Sequence, residues 1–579
     1  MPAWQRIPRR PIPYVVALSP FLVAAVRAVR DGWFPIGDAA QLYIRATDVL
    51  TAHHPWLGSA SSASASLGFQ VNNAGPLYFD LVAPFARTLP PGWGAVLGIT
   101  AINAACVVLA GWSARRIGGA TYEWWVLAAA AVLAWTMGSE LLFDMFQAHA
   151  LLFPFLAACV LLSGLALGQW WVLPWLAFVL TLILQTHVSY AYIVPILVVA
   201  ALVGAWRHHP ADTVDTAPTP DDPPDEPRGY RRPAIVAGAV LAVTWFQPVW
   251  EQLFGDGEGN LSRLIRAADG TDVSLGFTNA VKLTAAFVAL PPWSGRQGFR
   301  STIEPSGIAP GADHVVLAGM PNGWVAALAL VVTLALLGVA WWWARRRALA
   351  ALEALATLAV VGVVGAVAAF SRLTVTVLGF APHHSRWIVV VALLVYVVLA
   401  WAGLDAVSQR LGQRATQLVP AVAIAVLVLA SIANLPGYAQ PHGPTADAAA
   451  RPALDAAFAQ LDAAIDAGLL VDPVFFDLTN ERVYAPHTSA LQLHLRQRGV
   501  EFRVDSEFLV RHLGERRRAD GTEPTTLLQY HDVDAAAVAA AAPPDECVLV
   551  AVAPTGSEPG WPSLWFAVTR AGACPAARP

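Results

Sequence analysis

Residues 13–48 read PYVVALSPFLVAAVRAVRDGWFPIGDAAQLYIRATD, an apolar run followed by a loop in which Asp38 stands between Gly37 and two alanines. Arg6, Arg9 and Arg10 precede the run and no small-residue cleavage site follows it, so it is expected to remain as a membrane span. A hydrocarbon core about 30 Å thick takes roughly 20 apolar residues per helix. Eleven such runs are expected along the chain, at about 13–30, 92–112, 121–138, 150–168, 170–186, 188–206, 233–250, 321–343, 350–370, 387–404 and 418–435. The piece PLYFDLVAPFARTLP at 76–90 carries Asp80 and Arg87 and is broken by prolines, which suits an interfacial or re-entrant helix.

Composition agrees with these runs. The chain has 579 residues, of which 56% are hydrophobic and 13% charged, and its mean hydropathy is +0.53, outside the range of soluble globular chains. The net charge of −4 and the lack of a dense basic block argue against a nucleic-acid partner. Lys282 is the one lysine among 36 basic residues, a bias found in GC-rich genomes such as those of actinobacteria. Cys106 and Cys159 lie in apolar runs and read as small hydrophobes. An oxidising compartment would permit a disulfide between Cys547 and Cys574.

Arginines in short loops favour the cytoplasmic side. With the N-terminus inside, Arg115 and Arg116, then Arg207, Arg228, Arg231 and Arg232, then Arg345 to Arg347, then Arg410 and Arg414 all fall on that side. The 371–386 loop breaks the bias with Arg372 and Arg386. This orientation makes 207–232 a Pro- and Asp-rich cytoplasmic linker without structure of its own. It puts loops 31–91 and 251–320 outside as ordered lids, together with everything from 437 to 579. Residues 1–436 thus read as the transmembrane domain. The tail reads as an extracytoplasmic α/β domain, with a helix at 451–468, strand PVFFDL at 473–478, helix SALQLHLRQRG and strand VEFRV at 500–504. Further strands are expected at 525–531, 547–553 and 563–569. The tail carries 18 acidic residues against 11 arginines and no Gly-rich phosphate loop, so ATP and NAD binding have no support.

Two short motifs, FPIGDAAQLYIRATDVL at 34–50 and NNAGPLYF at 72–79, together with the whole architecture, make the chain resemble the GT-C superfamily of membrane glycosyltransferases. The resemblance implies a polytopic α-helical membrane protein of about 11 transmembrane helices with a C-terminal extracytoplasmic α/β domain. It also implies a catalytic acid in the first outside loop and a sugar donor linked to polyprenyl phosphate. The lipid-linked sugar is then the co-substrate, the bilayer and a cell-envelope glycan, lipid or protein acceptor are the partners, and no cofactor is certain. Many members pair two acids in the first loop, whereas Ala39 follows Asp38 here, and no HExxH or close Cys/His set occurs, so a divalent metal is unsupported.

In an inverting transfer the acceptor hydroxyl loses a proton as it attacks the anomeric carbon, which gives Asp38 the role of general base. Asp48, ten residues on, is the second candidate. The leaving phosphate gathers negative charge that cations or hydrogen-bond donors should meet. Arg372, His383, His384 and Arg386 cluster at the expected depth, and Arg263 and Arg266 form another pair. For Arg386 the alternative is a snorkelling anchor. Gln147 and His149, and Gln185 and His187, lie near span ends, where they would face the same cavity or form interhelical hydrogen bonds. His53, His54, Asn72, Asn73 and Asp80 of the first loop offer sugar-hydroxyl ligands, though Asn72 and Asn73 also suit a turn. The SSASAS stretch at 61–66 reads as a loop tip without a role. Competing readings are a flippase or transporter of lipid-linked saccharides, for which no internal repeat speaks, and a non-catalytic envelope scaffold.

Overall fold

The computed structural model describes residues 11–61, 64–208, 229–255, 257–268, 274–292, 317, 320–375, 380, 382–412, 417–440, 443–444, 451–468, 470–477, 486–531 and 564–570. The chain opens with α1 (Ile12–Arg30), α2 (Asp38–Asp48), the single-turn α3 (Ser64–Leu67) and α4 (Leu77–Thr88). It continues through α5 (Pro91–Met137), the single-turn α6 (Gln147–Ala150), α7 (Leu152–Ala166), α8 (Leu173–Thr186) and α9 (Val194–His208). Next come α10 (Arg231–Thr244), α11 (Phe246–Phe254), α12 (Asn260–Ala268), α13 (Gly276–Val288), α14 (Gly323–Arg346), α15 (Ala350–Arg372), α16 (Ile388–Leu411) and α17 (Leu418–Ala433).

Among the described residues, six stretches are long and apolar enough to cross a membrane: α1, α5, α6 with α7, α14, α15 and α16. The pair α10 and α11, bent by 50°, adds a seventh if taken as one span. Two of the eleven expected runs join in the 47-residue α5, which Gly119 divides with a left-handed φ of +79° that an ordinary residue resists. Three others, α8, α9 and α17, form shorter apolar helices. Outward-facing Leu22, Val199, Val243, Trp324, Leu328 and Leu429 are each at least 60% exposed, an apolar surface that suits lipid and not water.

Small residues let the helices approach. A side chain on Gly111 of α5 would meet Leu127 and Tyr14, and one on Gly362 of α15 would meet Val391 of α16. The 251–320 region is more than a lid, because α13 packs into the bundle against α14, α15 and α16 and buries Leu283, Ala286 and Phe287. Its 13 residues, interrupted by Lys282, fall below the length that marks a span in the sequence. Within residues 76–90, α4 begins directly after Pro76 and buries Tyr78, Phe79 and Val82 against neighbouring helices.

After the bundle come α18 (Arg451–Asp466), β1 (Val474–Asp477), α19 (Pro486–Gln497), β2 (Phe502–Val504), α20 (Glu507–Leu513), β3 (Thr525–His531) and β4 (Leu564–Arg570). The sheet order is β2-β1-β3-β4, with β1 parallel to both neighbours and β4 antiparallel to β3. Val474 pairs with Phe502 on one side and Thr525 on the other. Val474, Phe476, Phe502, Val504 and Leu527 alternate into the core of this α/β unit. The expected strand at 547–553, Cys547, Cys574 and most of the 207–232 linker lie outside the described residues. The α/β unit sits directly on the first loop, with α19 and α20 packed against α2.

Candidate active site

Asp38 opens α2. Gly37 before it has φ +60° and ψ −133°, a conformation that glycine adopts far more easily than any other residue. Nearly all of α2 is buried, yet Asp38 is exposed, so the turn at Gly37 presents the carboxylate outward from the first turn of the helix. The positive end of the helix dipole favours negative charge there.

Asp38 faces a cavity of about 290 Å³. Gln41 and Leu42 of α2, Ser59, Ala60, Ser61 and Asn73 of the first loop, Phe146, Gln147, His187, Val188, His383 and His384 form most of its wall. Phe508 and His512 of α20 complete it, so the α/β unit contributes to the enclosure.

The loop wall is tied to the bundle by amide side chains. Asn73 Nδ2 donates to Ser59 Oγ at 2.9 Å, and Asn73 Oδ1 accepts from the Val188 N–H at 2.9 Å. Gln147 Nε2 also donates to Ser59 Oγ. His187 sits where α8 ends; its Nδ1 accepts from the Ser189 N–H and lies 2.7 Å from Ser189 Oγ. That assigns the ring proton to Nε2. His383 lies with its ring centroid 4.2 Å from that of His384 and 6.0 Å from that of His187. Burial first, then the neighbouring histidines, pushes His187 down to about 3, and burial pushes His384 down to about 4. His383 is likewise held well below the usual histidine range, by burial and then by His384 and His187. The three imidazoles are neutral hydrogen-bonding groups at neutral pH. Among the described residues no group of three or more His, Cys, Asp or Glu is arranged to hold a metal ion.

The structure thus brings together Asp38, Asn73, Gln147, His187, His383 and His384 of the residues singled out from sequence. Others go elsewhere. Asp48 is fully buried beneath the α/β unit, where Arg517 bonds it twice at 2.7 and 2.9 Å, Arg45 at 2.9 Å and Arg496 at 2.8 Å. Burial alone would raise its pKa, but these arginines outweigh burial and lower it. It has no face open to a substrate and does not fit the role of base. Ten residues at about 100° each leave it roughly 80° around the helix from Asp38, so the two do not share a face.

His149 turns to Asp144, 2.6 Å from its Oδ2, while Gln185 donates to the Thr244 carbonyl and accepts from the Leu77 N–H. Arg386, just before α16, lies close enough to Asp144 to feel its charge, and its Nε is buried without a hydrogen-bond partner. Burial lowers its pKa to about 10 and Asp144 offsets part of that, so it remains a cation. Arg372 is exposed at the end of α15 and does not line the cavity. Arg263 donates to the Gln70 carbonyl at 3.3 Å, and Arg266 pairs with Glu258. Asn72 binds Gly58, Asn260 and Arg511 and works as a joint between loops. His54 and Asp80 both bind Gln247 of α11, at 3.0 and 2.7 Å. His53 uses its carbonyl to accept from Arg45.

Gln41, Ser59, Ser61, Phe146, Phe508 and His512 also line the cavity and were not among the residues singled out from sequence. Gln41 had a signal, since it follows Asp38 by one helical turn. The serines stand in or beside the stretch read as a featureless loop tip, and α20 had none of the length that marks a helix.

No protein-family model matches the chain, and no curated protein matches it. Two solved structures are similar to it over most of its length. One is ArnT from Cupriavidus metallidurans bound to undecaprenyl phosphate, at 13% identity over 95% of this chain and 97% of that one, with a TM-score of 0.49. The other is the Archaeoglobus fulgidus oligosaccharyltransferase in the apo form, at 13% identity over 85% of this chain and 65% of that one, with a TM-score of 0.30.

Proposed function

We propose that the protein is a GT-C-type glycosyltransferase that moves a sugar from a polyprenyl-phosphate donor to an acceptor hydroxyl on the outer face of the membrane. The observation that carries this reading is one exposed carboxylate, Asp38, facing a cavity walled by neutral hydrogen-bonding groups at one end of an apolar helical bundle. The motifs around Asp38 and Asn73 resemble that superfamily and point the same way.

Asp38 takes the proton of the acceptor hydroxyl as the oxygen forms its bond to the anomeric carbon. The bond to the donor phosphate oxygen breaks with its electron pair, and inversion follows from attack on the opposite face. The leaving phosphate requires no acid but does require hydrogen-bond donors. His383 and His384 serve there, and Arg386, two residues on with a buried, unpartnered Nε, supplies positive charge close to His383. All three lie within a few residues of the start of α16, where a lipid headgroup would rest. Arg372, exposed at the end of α15, is left as an outer attraction site for the phosphate. The arginine distribution supports an N-terminus in the cytoplasm and the α/β unit outside.

The test is Asp38→Asn in lipid nanodiscs, assayed by release of polyprenyl phosphate from a panel of polyprenyl-phosphate sugars. Loss of a general base should lower turnover by about 10²- to 10⁴-fold with unchanged thermal unfolding. Wild-type turnover in that variant would remove the assignment.

A further inference from the structure

His512 reaches the cavity from the α/β unit, on α20, one turn after Phe508, which lines the same wall. Its Nδ1 accepts from the Ala60 N–H at 3.2 Å, which leaves the ring proton on Nε2. His512 is 5% exposed, and Nε2 is buried with no hydrogen-bond partner. A buried N–H without an acceptor is uncommon in folded proteins, and beside a cavity it points to an oxygen that a ligand supplies.

The position of this ring is built in. The carbonyl of Leu513, the next residue, accepts from Arg45 at 2.7 Å and from Arg517 at 2.8 Å. Those two arginines are among the three that grip Asp48 of α2. The Asp48 cluster therefore holds the turn that carries His512 against the helix that carries Asp38. Burial, then the charge of Arg45, keeps the imidazole neutral, with a pKa pushed down to about 3.

We propose that His512 is a positioning residue for the acceptor, its Nε2–H donating to a hydroxyl or carbonyl oxygen of an uncharged saccharide that lies along Phe508. The proposal rests on the glycosyl-transfer reading above. The side of the cavity explains the choice of acceptor over donor: His383 and His384 directly precede a membrane helix, whereas α20 belongs to the unit beyond the bundle. A neutral N–H suits a saccharide oxygen, and the nearby arginine charge is already engaged by Asp48.

His512→Asn keeps an acceptor for the Ala60 N–H and removes the Nε2 donor, while His512→Gln restores a donor near that point. With methyl glycosides of hexoses and N-acetylhexosamines as probes, saturation-transfer NMR on the full chain in nanodiscs should detect binding to the wild type. That binding should weaken about tenfold in His512→Asn and recover to within about twofold in His512→Gln, the size expected for one hydrogen bond. In transfer assays the acceptor KM should rise while the donor KM stays constant. Unchanged glycoside binding in His512→Asn, no glycoside binding by the wild type, or a rise in donor KM alone would each overturn the proposal. Failure of the transfer reading itself is seen separately, as wild-type turnover in Asp38→Asn.

Discussion

Arg517 of the α/β unit closes two hydrogen bonds on the carboxylate of Asp48, at 2.7 and 2.9 Å, and neither side chain is exposed. This pair, with Arg45 and Arg496, locks the C-terminal unit onto the helix that begins with Asp38. The carboxylate that the sequence offered as a second base is a clamp.

Asp48→Asn should leave three arginines facing one another around a neutral amide. Breaking a buried pair in this way costs about 3–5 kcal/mol. Thermal unfolding in detergent should show a matching drop in Tm, and limited proteolysis should release the α/β unit at lower protease concentrations. Because the Asp48 pKa is depressed in the fold, its stabilisation is present above about pH 3.9 and disappears as the pH falls through the folded value. That acid-sensitive component should be missing from the variant.

Gly37→Ala should be costly out of proportion to its size. The φ of +60° with ψ −133° is strained for any residue with a Cβ, by about 1–3 kcal/mol. A local adjustment would relieve that strain by turning Asp38 away from the cavity. Turnover should therefore fall more than the loss of Tm alone explains, and equal falls in Gly37→Ala and in an equally destabilised distant variant would refute the link.

Asn73→Leu should orphan the Val188 N–H beside His187, at a cost of about 1–3 kcal/mol. Asn73→Asp keeps the accepting oxygen and should cost less. Hydrogen exchange at the Val188 amide is the direct measure: it should accelerate in the leucine variant and stay slow in the aspartate one.

Histidine ordinarily titrates near 6.5. With His187 held at about 3 and His384 at about 4, the unfolded chain binds protons that the folded chain refuses below about pH 6.5. Stability should be level from pH 7 to 8 and fall as the pH drops toward 4. Because His383 and His512 are also held below the usual range, replacing His187 and His384 by Gln should make that fall shallower without removing it; an equally steep fall in the double variant would assign the acid sensitivity to other groups.

Part of the site was legible along the chain. Asp38 stood out through the resemblance of the 34–50 stretch to the GT-C superfamily, and Gln147 and His187 through their place near span ends, where a polar side chain among apolar neighbours needs a partner or a cavity. Gln147 and His149 look alike along the chain, as do His187 and Gln185. In each pair one member faces the cavity while the other is taken up by Asp144 or by the Thr244 carbonyl. That choice depends on how the backbone is turned, which two polar residues two positions apart do not reveal.

The helical bundle and the strands β1 to β4 could be read along the chain alone. Both follow from local periodicity and from the length of apolar chain that a bilayer core or a small sheet can bury. Which carboxylate faces a cavity, which is sealed beneath arginines, and that His512 shares a wall with Asp38 emerged from the packed fold. Those outcomes are set by contacts between residues far apart in the chain, where burial and pairing depend on what packs opposite and not on a residue's own neighbours.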